Sequence, residues 1–555
     1  MKAKSLTFLI LTLLGWLPVD AQLLAEKSPY QRADSLRGQF TALRNCYDLN
    51  YYHLDVKINI QDKSIAGSNE FRFTATKTFK TLQFDLFANL EVSKVVFQGS
   101  ELHFNREFNA VFVTFPTDIR KGEHKSFTVF YSGKPVIAKN PPWDGGFIFQ
   151  KDKSGNPWVS VACQGFGASS WWPTKDHQSD EVDSMLISVS IPKGLNEISN
   201  GRLRSVIDQK DGYNQFNWFV NNPINNYNVT FYIGKYANWK DTYAGEKGKL
   251  SLDYWSLEED SAKARPHWDA DVKRMLKSFE HWFGPYPFYE DGYKLVQAPH
   301  LGMEHQSAVA YGNKFMQGYL GRDYSRSAAN WGLKFDYLTV HESGHEWFGN
   351  NITSKDIADM WIHEAFTSYS ETLFLTTYYG KQAGSEYVIS SRKIIQNDSP
   401  IIGSYGVNRE GSGDMYYKGA NIIHTIRALI NDDEKFRLML RGLNRDFYHQ
   451  TVTTNEIEQY VRKATGLKLT GFFDQYLRKT AIPVLEFKIE SPGKLSYRWK
   501  TDVARFDMPV EVTLKPGSYQ RIYASEQWKT IDVDPKITNE TFAVAPNFYV
   551  NIKKY

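Results

Sequence analysis

The chain has 555 residues, a formal net charge of +4, 42% hydrophobic residues, 23% charged residues and two cysteines. This length is roughly three to four times that of a typical domain, and the hydrophobic content is sufficient for large cores. The weak net charge argues against a nucleic-acid-binding protein, and two cysteines exclude a small fold held together by disulfides.

The N-terminal segment has the pattern of an export signal. Lys2 and Lys4 precede an apolar run at residues 6–17, and residues 19–21 resemble a cleavage site. We therefore predict that residues 1–21 are a signal peptide and that the mature chain is exported, either secreted or periplasmic. An uncleaved anchor is the alternative, but the run is shorter than the roughly 20 residues of a membrane helix. We expect no integral membrane span after signal cleavage.

Residues 22–248 are predicted to form a β-rich domain. Leu54, Val56 and Ile58 alternate with polar residues, and a second alternating run begins at Leu82. A period of two places successive side chains on opposite faces of a strand.

Residues 249–480 are predicted to be mainly helical. Val272, Met275, Leu276 and Phe279 have the spacing of one helix face. Helical patterns continue from there to the end of this region.

Alternation returns in residues 481–555. Leu485, Phe487 and Ile489 have the strand period again. This pattern predicts a small antiparallel sheet at the end of the chain.

A metal site is predicted from His341, His345 and Glu364. Two histidines four residues apart on a helix lie on the same face, so both can bind one zinc ion. Glu364, on a second predicted helix, supplies a third ligand and leaves a fourth position open for water. Glu342 follows the first ligand and can act as a general base. The alternatives are surface histidines on a helix and a metal site without activity.

Several segments carry a family resemblance. HESGHEWFGN at 341–350 resembles the HExxHxWFGN signature of gluzincin zinc aminopeptidases related to aminopeptidase N, and DMWIHEAF at 359–366 resembles their DxWLNEGF segment. Similarity runs from about residue 160 to 480. The other resembling segments are GMEH at 302–305 (GAMEN), YYKG at 416–419 (YEKG), FEHWFGPYPF at 279–288 (FExxFGPYPF) and PINNY at 223–227 (PMSxY).

The resemblance implies a multidomain α+β architecture. An N-terminal β-saddle would occupy residues 22–248, a mainly helical thermolysin-like catalytic domain residues 249–480, and a small C-terminal β-sandwich residues 481–555. The sequence has no room for the large C-terminal helical domain of many relatives. We therefore expect a more open substrate cleft.

Catalytic roles also follow from the resemblance. Glu342 would be the general base for a zinc-activated water, and Tyr416 would stabilise the oxyanion. Tyr417 stands where the motif has Glu, so Tyr416 is the better match for the phenol. The alternative is that both are packing tyrosines.

Exopeptidase specificity requires an anion that binds the substrate's free amine. Glu304 is the candidate, with Gly302 and Met303 beside it in the substrate-binding motif. Gln164 is a second substrate contact by resemblance, or else a surface glutamine. In the segments around the substrate-binding candidates, Leu301 replaces Gly, His305 replaces Asn and Ser169 replaces Arg.

Supporting residues are predicted as well. Glu371 lies two helical turns after Glu364, where it can accept the free ring N–H of a ligand histidine. Histidines 300, 363 and 424 are expected to be structural or exposed. Cys46 and Cys163 are expected to be unpaired.

The sequence favours an exported aminopeptidase with one zinc ion, which removes N-terminal residues from peptides with a free N-terminus. No nucleic-acid partner is expected. Within the enzymes, an endopeptidase or an epoxide hydrolase is the alternative. A non-catalytic peptide- or glycan-binding protein is the alternative from another class.

Overall fold

The computed structural model describes residues 29–555. The predicted signal peptide, residues 1–21, lies outside the described residues. Within 29–555, no helix is both long and apolar enough to cross a membrane.

The N-terminal part of the structure is built from strands. Eight strands form one sheet in the order β13-β14-β11-β1-β2-β8-β4-β5, accompanied by a four-stranded sheet (β12-β15-β10-β9) and a three-stranded sheet (β3-β7-β6). The elements are α1 (Arg32–Gly38), β1 (Tyr47–Asn59), β2 (Ser64–Ala75), β3 (Phe79–Asp85), β4 (Leu90–Phe97), β5 (Ser100–Glu101), β6 (His103–Glu107), β7 (Ala110–Ile119), β8 (His124–Gly133), β9 (Gly146–Lys151), β10 (Pro157–Ala162), β11 (Ser184–Pro192), β12 (Asn196–Ser199), β13 (Arg202–Asp208), β14 (Tyr213–Val220) and β15 (Phe231–Gly234).

The period-two pattern of the sequence corresponds to the pleat of β1. Leu54, Val56 and Ile58 are fully buried on one face of the strand. β1 pairs antiparallel with β2, where Leu54 faces Asn69, and parallel with β11, where Leu54 faces Ile187. The alternation of apolar and polar residues therefore arises because one face of β1 is buried in the N-terminal core.

The middle part combines a five-stranded sheet and a two-stranded sheet (β21-β22) with most of the helices. A five-stranded sheet has the order β16-β17-β18-β20-β19, so the short strand β19 lies at its edge. The elements are β16 (Tyr236–Gly245), β17 (Gly248–Leu257), α2 (Ser261–Phe283), β18 (Tyr293–Gln297), β19 (Gly302–Met303), β20 (Val309–Tyr311), α3 (Tyr337–Gly344), β21 (Ile352–Ser354), α4 (Trp361–Tyr379), α5 (Lys381–Ser390), α6 (Tyr417–Ile430), α7 (Asp433–Asp446), β22 (Gln450–Val452), α8 (Thr454–Thr465) and α9 (Thr470–Arg478). Strand β16 belongs to this sheet, although it precedes residue 248.

The C-terminal part is made of two sheets, β27-β24-β23-β28 and β25-β26. Its strands share a hydrophobic core with the helices of the middle part. A hydrogen bond also joins the two parts: the Tyr476 hydroxyl in α9 donates to the carbonyl of Tyr549 at 2.5 Å. The strands are β23 (Val484–Ser491), β24 (Lys494–Lys500), β25 (Val510–Lys515), β26 (Ser518–Ile522), β27 (Lys529–Asp532) and β28 (Asn551–Lys554).

The predicted fold class is confirmed. The chain is a multidomain α+β protein with a β-rich N-terminal part, a mainly helical middle part and C-terminal sheets. Cys46 and Cys163 are both buried and free, as expected from the sequence.

Candidate active site

The predicted metal ligands lie on two packed helices. His341 is in α3, and His345 directly follows α3 with a helical backbone conformation (φ −63°, ψ −21°). Glu364 is in the first turn of α4. Gly344 allows the two helices to approach closely, because a Cβ at this position would lie 2.7 Å from the Ser370 hydroxyl of α4.

The three side chains converge on one point. Oε2 of Glu364 lies 3.6 Å from Nε2 of His341 and 3.4 Å from Nε2 of His345. Two ligands of one tetrahedral zinc ion are about 3.4 Å apart, given zinc–ligand distances of roughly 2.0–2.2 Å. Oε2 of Glu364 is buried without a hydrogen-bond donor among the described residues. This donor set therefore fits a zinc ion.

Hydrogen bonds orient both imidazoles. Nδ1 of His341 donates to Oε1 of Glu371 at 2.7 Å, and the Tyr387 hydroxyl donates to the other oxygen of Glu371 at 2.5 Å. Nδ1 of His345 donates to the carbonyl of Phe348 at 3.0 Å. Both Nε2 atoms are thus left to bind a metal as neutral imidazoles.

Glu342 lies beside the metal ligands and is 8% exposed. Burial raises the pKa of Glu342 to about 7, against the lowering effect of the imidazoles of His341 and His345. A carboxyl group with a pKa near neutrality can both accept and return a proton, which suits a general base.

Gly302 provides the space that Glu342 occupies. A Cβ at Gly302 would lie 2.3 Å from Oε1 of Glu342, which is closer than any real contact. Gly302 and Met303 form strand β19, which pairs antiparallel with β20. Because β19 is the edge strand, it pairs with no strand other than β20 among the described residues.

Glu304 follows this strand and is 2% exposed. Glu304, Glu342 and His345 each offer a ligand-type atom, and these atoms lie within 4.8 Å of one another. Gln164 donates a hydrogen bond from Nε2 to Oε1 of Glu304. The structure therefore brings Gln164 of the N-terminal part to the predicted amine-binding carboxylate.

Tyr416 precedes α6 and faces the metal site. Its ring lies nearly parallel to that of His341, with 6.1 Å between centroids and 19° between planes. Burial, followed by the charges of Glu364 and Glu304, raises the pKa of Tyr416 well above its usual value. The phenol is therefore protonated at neutral pH and available as a hydrogen-bond donor.

Comparison with known proteins identifies the family. Residues 269–476 match the peptidase family M1 domain. Residues 269–476 are thus similar to the catalytic domain of the M1 peptidases. Leukotriene A-4 hydrolase of Xenopus laevis is 22% identical over 75% of this chain and 68% of its own length, and aminopeptidase B of Rattus norvegicus is 22% identical over 55% and 45%. The chain thus spans less than half of the rat protein.

The fold of the chain is also similar to solved structures. The M1 zinc metallopeptidase from Deinococcus radiodurans superimposes with a TM-score of 0.66 at 19% identity, covering 80% of this chain and 96% of that chain. A mutant of the same bacterial protein, solved with a bound Tyr-Ser-Ala substrate, gives the same TM-score of 0.66 over 79% of this chain and 96% of its own. This likeness concerns the fold.

Several residues of the M1 site were not singled out by the sequence. Tyr387 supports Glu371, and its place in α5 gives no sequence signal. Tyr227 is 4% exposed, and burial together with the charges of Glu304 and Glu364 raises its pKa. Its membership of the PINNY segment was the one available signal.

Other polar residues have structural contacts. Asn350 donates from Nδ2 to the carbonyl of Glu304 at 2.8 Å and so supports the amine-binding segment. His363 is buried and accepts a hydrogen bond from the amide of Ser354 at 2.8 Å. His305, the departure from the family motif, has Nδ1 2.7 Å from the Tyr232 hydroxyl. His363 is therefore structural, as expected.

Proposed function

We propose that this protein is a zinc-dependent aminopeptidase that hydrolyses the first peptide bond of peptides with a free N-terminus. The observation that carries the proposal is the position of Glu304 beside His345 and Glu342. A carboxylate at this distance from the metal ligands can bind the α-ammonium group while the first carbonyl reaches the metal. Cleavage is then restricted to the first bond.

The proposed mechanism assigns one role to each residue of the site. A bound zinc ion supplies Lewis-acid activation of a water molecule and of the scissile carbonyl. Glu342 takes the proton from the attacking water and returns it to the leaving amine. The Tyr416 hydroxyl donates a hydrogen bond to the carbonyl oxygen as negative charge develops there.

Substrate binding uses the other predicted residues. Glu304 accepts charge-assisted hydrogen bonds from the α-ammonium group, and Gln164 holds the Glu304 carboxylate in place. The edge of β19, formed by Gly302 and Met303, offers backbone groups to the extended substrate. We also propose that the site holds a single zinc ion. Residues 1–21 are proposed to be a signal peptide that directs export of the chain.

Matched peptides test this function. Purified protein is assayed with a peptide and its N-acetylated form, before and after metal removal by 1,10-phenanthroline, and again after zinc is restored. We expect release of the first residue from the free peptide, loss of activity with the chelator, recovery with zinc, and no cleavage of the acetylated form.

The alternatives give different results in the same assay. Equal cleavage of the acetylated peptide would indicate an endopeptidase. Zinc-loaded protein that binds peptides or glycans without cleaving them would indicate a binding protein. The relative named leukotriene A-4 hydrolase makes epoxide hydrolysis the further alternative. Epoxide turnover without peptide cleavage would favour it over the proposed function.

A further inference from the structure

Four tyrosines form a continuous aromatic surface, here called the tyrosine wall: Tyr319, Tyr324, Tyr337 and Tyr417. The ring centroids of Tyr319 and Tyr324 are 5.4 Å apart, those of Tyr319 and Tyr337 are 5.4 Å apart, and those of Tyr324 and Tyr417 are 5.6 Å apart. Tyr337 is buried, whereas the other three are half-buried. The wall therefore retains accessible aromatic surface.

The wall adjoins the metal site at His341. The ring of Tyr337 stacks on that of His341 with 5.1 Å between centroids and 13° between planes. Burial, the neighbouring Tyr324 and the charge of Glu342 raise the pKa of Tyr319, so its hydroxyl is protonated at neutral pH.

The amine-binding residue lies toward the other ligand histidine. Glu304 groups with His345 and Glu342, and no such grouping includes Glu304 and His341 among the residues of 29–555. The two histidines are four residues apart, which is about 6 Å along the helix axis. The site thus has an amine end near His345 and an aromatic end near His341.

The two different ends of the site set the direction of a bound peptide. When the peptide amine is at Glu304 and its first carbonyl is between the two histidines, the second residue of the peptide lies toward His341. Successive residues of an extended chain are about 3.3–3.6 Å apart, so the second residue reaches the aromatic end.

We propose that the tyrosine wall binds the side chain of the second residue of the substrate and selects aromatic or large apolar side chains there. The proposal rests on the proposed aminopeptidase function and adds a substrate class to it. Aromatic rings stack well on tyrosine faces, and their burial stabilises the complex further.

A departure of this sequence from the family motif at Tyr417 supports the preference for aromatic or large apolar side chains. Tyr417 stands where the motif has Glu, so a ring replaces a carboxylate. That ring is turned toward Tyr324, at 34° between the ring planes. A carboxylate would favour a basic side chain, whereas a ring favours an apolar one.

A peptide series tests the proposal. The substrates Ala-X-Gly, with Phe, Leu, Ala or Asp at X, are compared by kcat/KM with zinc-loaded protein. We expect Phe to exceed Ala by about tenfold or more, the range that contacts in an apolar pocket provide. The Tyr324→Ala variant should reduce the ratio to within about threefold, whereas Tyr324→Phe should retain it.

Control variants separate selectivity from folding. Tyr523→Ala removes a tyrosine that is 65% exposed and outside the site, and it should leave the Phe/Ala ratio unchanged. Tyr319→Ala is the second wall variant if Tyr324→Ala fails to fold. Zinc content and circular dichroism are measured for each variant.

The outcomes distinguish a failure of the proposed tyrosine-wall selectivity from a failure of the proposed aminopeptidase function. Equal kcat/KM for all four peptides, or an unchanged ratio in a folded, zinc-loaded wall variant, would overturn the role of the wall and leave the aminopeptidase function intact. Absence of cleavage of every peptide by zinc-loaded protein would overturn both.

Discussion

Glu371 of α4 lies 2.7 Å from Nδ1 of His341 of α3, and it accepts the ring N–H that the metal-facing Nε2 leaves available. The same carboxylate accepts a hydrogen bond from Tyr387 of α5. Three helices thus cooperate to fix one imidazole.

Replacement of Glu371 by Gln removes the charge that orients His341 and makes it more basic. We expect zinc to bind about tenfold or more weakly in Glu371→Gln, because such supporting contacts typically contribute 10- to 100-fold to metal affinity. Chelator competition measures the affinity. Glu434→Gln, on an exposed helix surface, is the matched control and should bind zinc normally.

Replacement of Glu342 by Gln removes the proposed general base and leaves the three candidate metal ligands. Zinc content should remain close to one equivalent, while kcat should fall by about 10²-fold or more. Fixed-time peptide-cleavage assays measure kcat, and metal analysis measures the zinc content. Near-normal turnover in this variant would show that another group takes the proton.

The Tyr416→Phe variant removes one hydroxyl and keeps the ring beside His341. We expect kcat to fall by about 10²- to 10³-fold with a much smaller change in KM, because the hydrogen bond forms to charge that develops in the transition state. Tyr523→Phe serves as the control. A purely structural Tyr416 would instead alter thermal stability and leave kcat unchanged.

The Gly302→Ala variant tests the space beside the general base. The new methyl group would lie 2.3 Å from Oε1 of Glu342, so the carboxylate must move and kcat should fall by about tenfold or more. Gly471→Ala is the control, because the nearest atom to its Cβ is 3.6 Å away. If Gly302→Ala cleaved peptides at the normal rate, Glu342 would not depend on this contact.

Cys46 and Cys163 should be unreactive in the folded protein. Cys46 is 3% exposed, and burial raises its pKa to about 11; burial also raises the pKa of the fully buried Cys163. Little thiolate is therefore present at pH 8. Titration with a thiol reagent should detect no fast-reacting group in the native state and two thiols in denaturant. A rapid reaction of one thiol in folded protein would contradict this expectation.

The sequence predicted the local parts of the site. His341, Glu342 and His345 lie within five residues, and a single helical turn brings the two histidines together. The second helix, which carries Glu364, was also readable and corresponds to α4, because helical spacing is a local signal. Resemblance to a family added Glu304 and Gln164 to the candidate site. No local sequence pattern connects these two residues, because they are far apart along the chain.

Contacts between distant segments were not predictable in this way. Glu371 was expected to support a ligand histidine, and helix packing selected His341. Strand β16 precedes the expected domain boundary at residue 248 and yet pairs with β17 in the middle sheet. Pairing partners depend on backbone hydrogen bonds and burial across the fold, which strand periodicity alone does not specify.

The sequence by itself determined the strand and helix periods, the spacing of the candidate zinc ligands and the candidate for the general base, because each depends on residues that are neighbours along one element. Tertiary structure decided that Gln164 meets Glu304, that Tyr387 supports the metal site through Glu371, and that four tyrosines assemble beside His341. The physical reason is that these contacts arise from the packing of separate segments, whose mutual positions are set by the burial of whole faces.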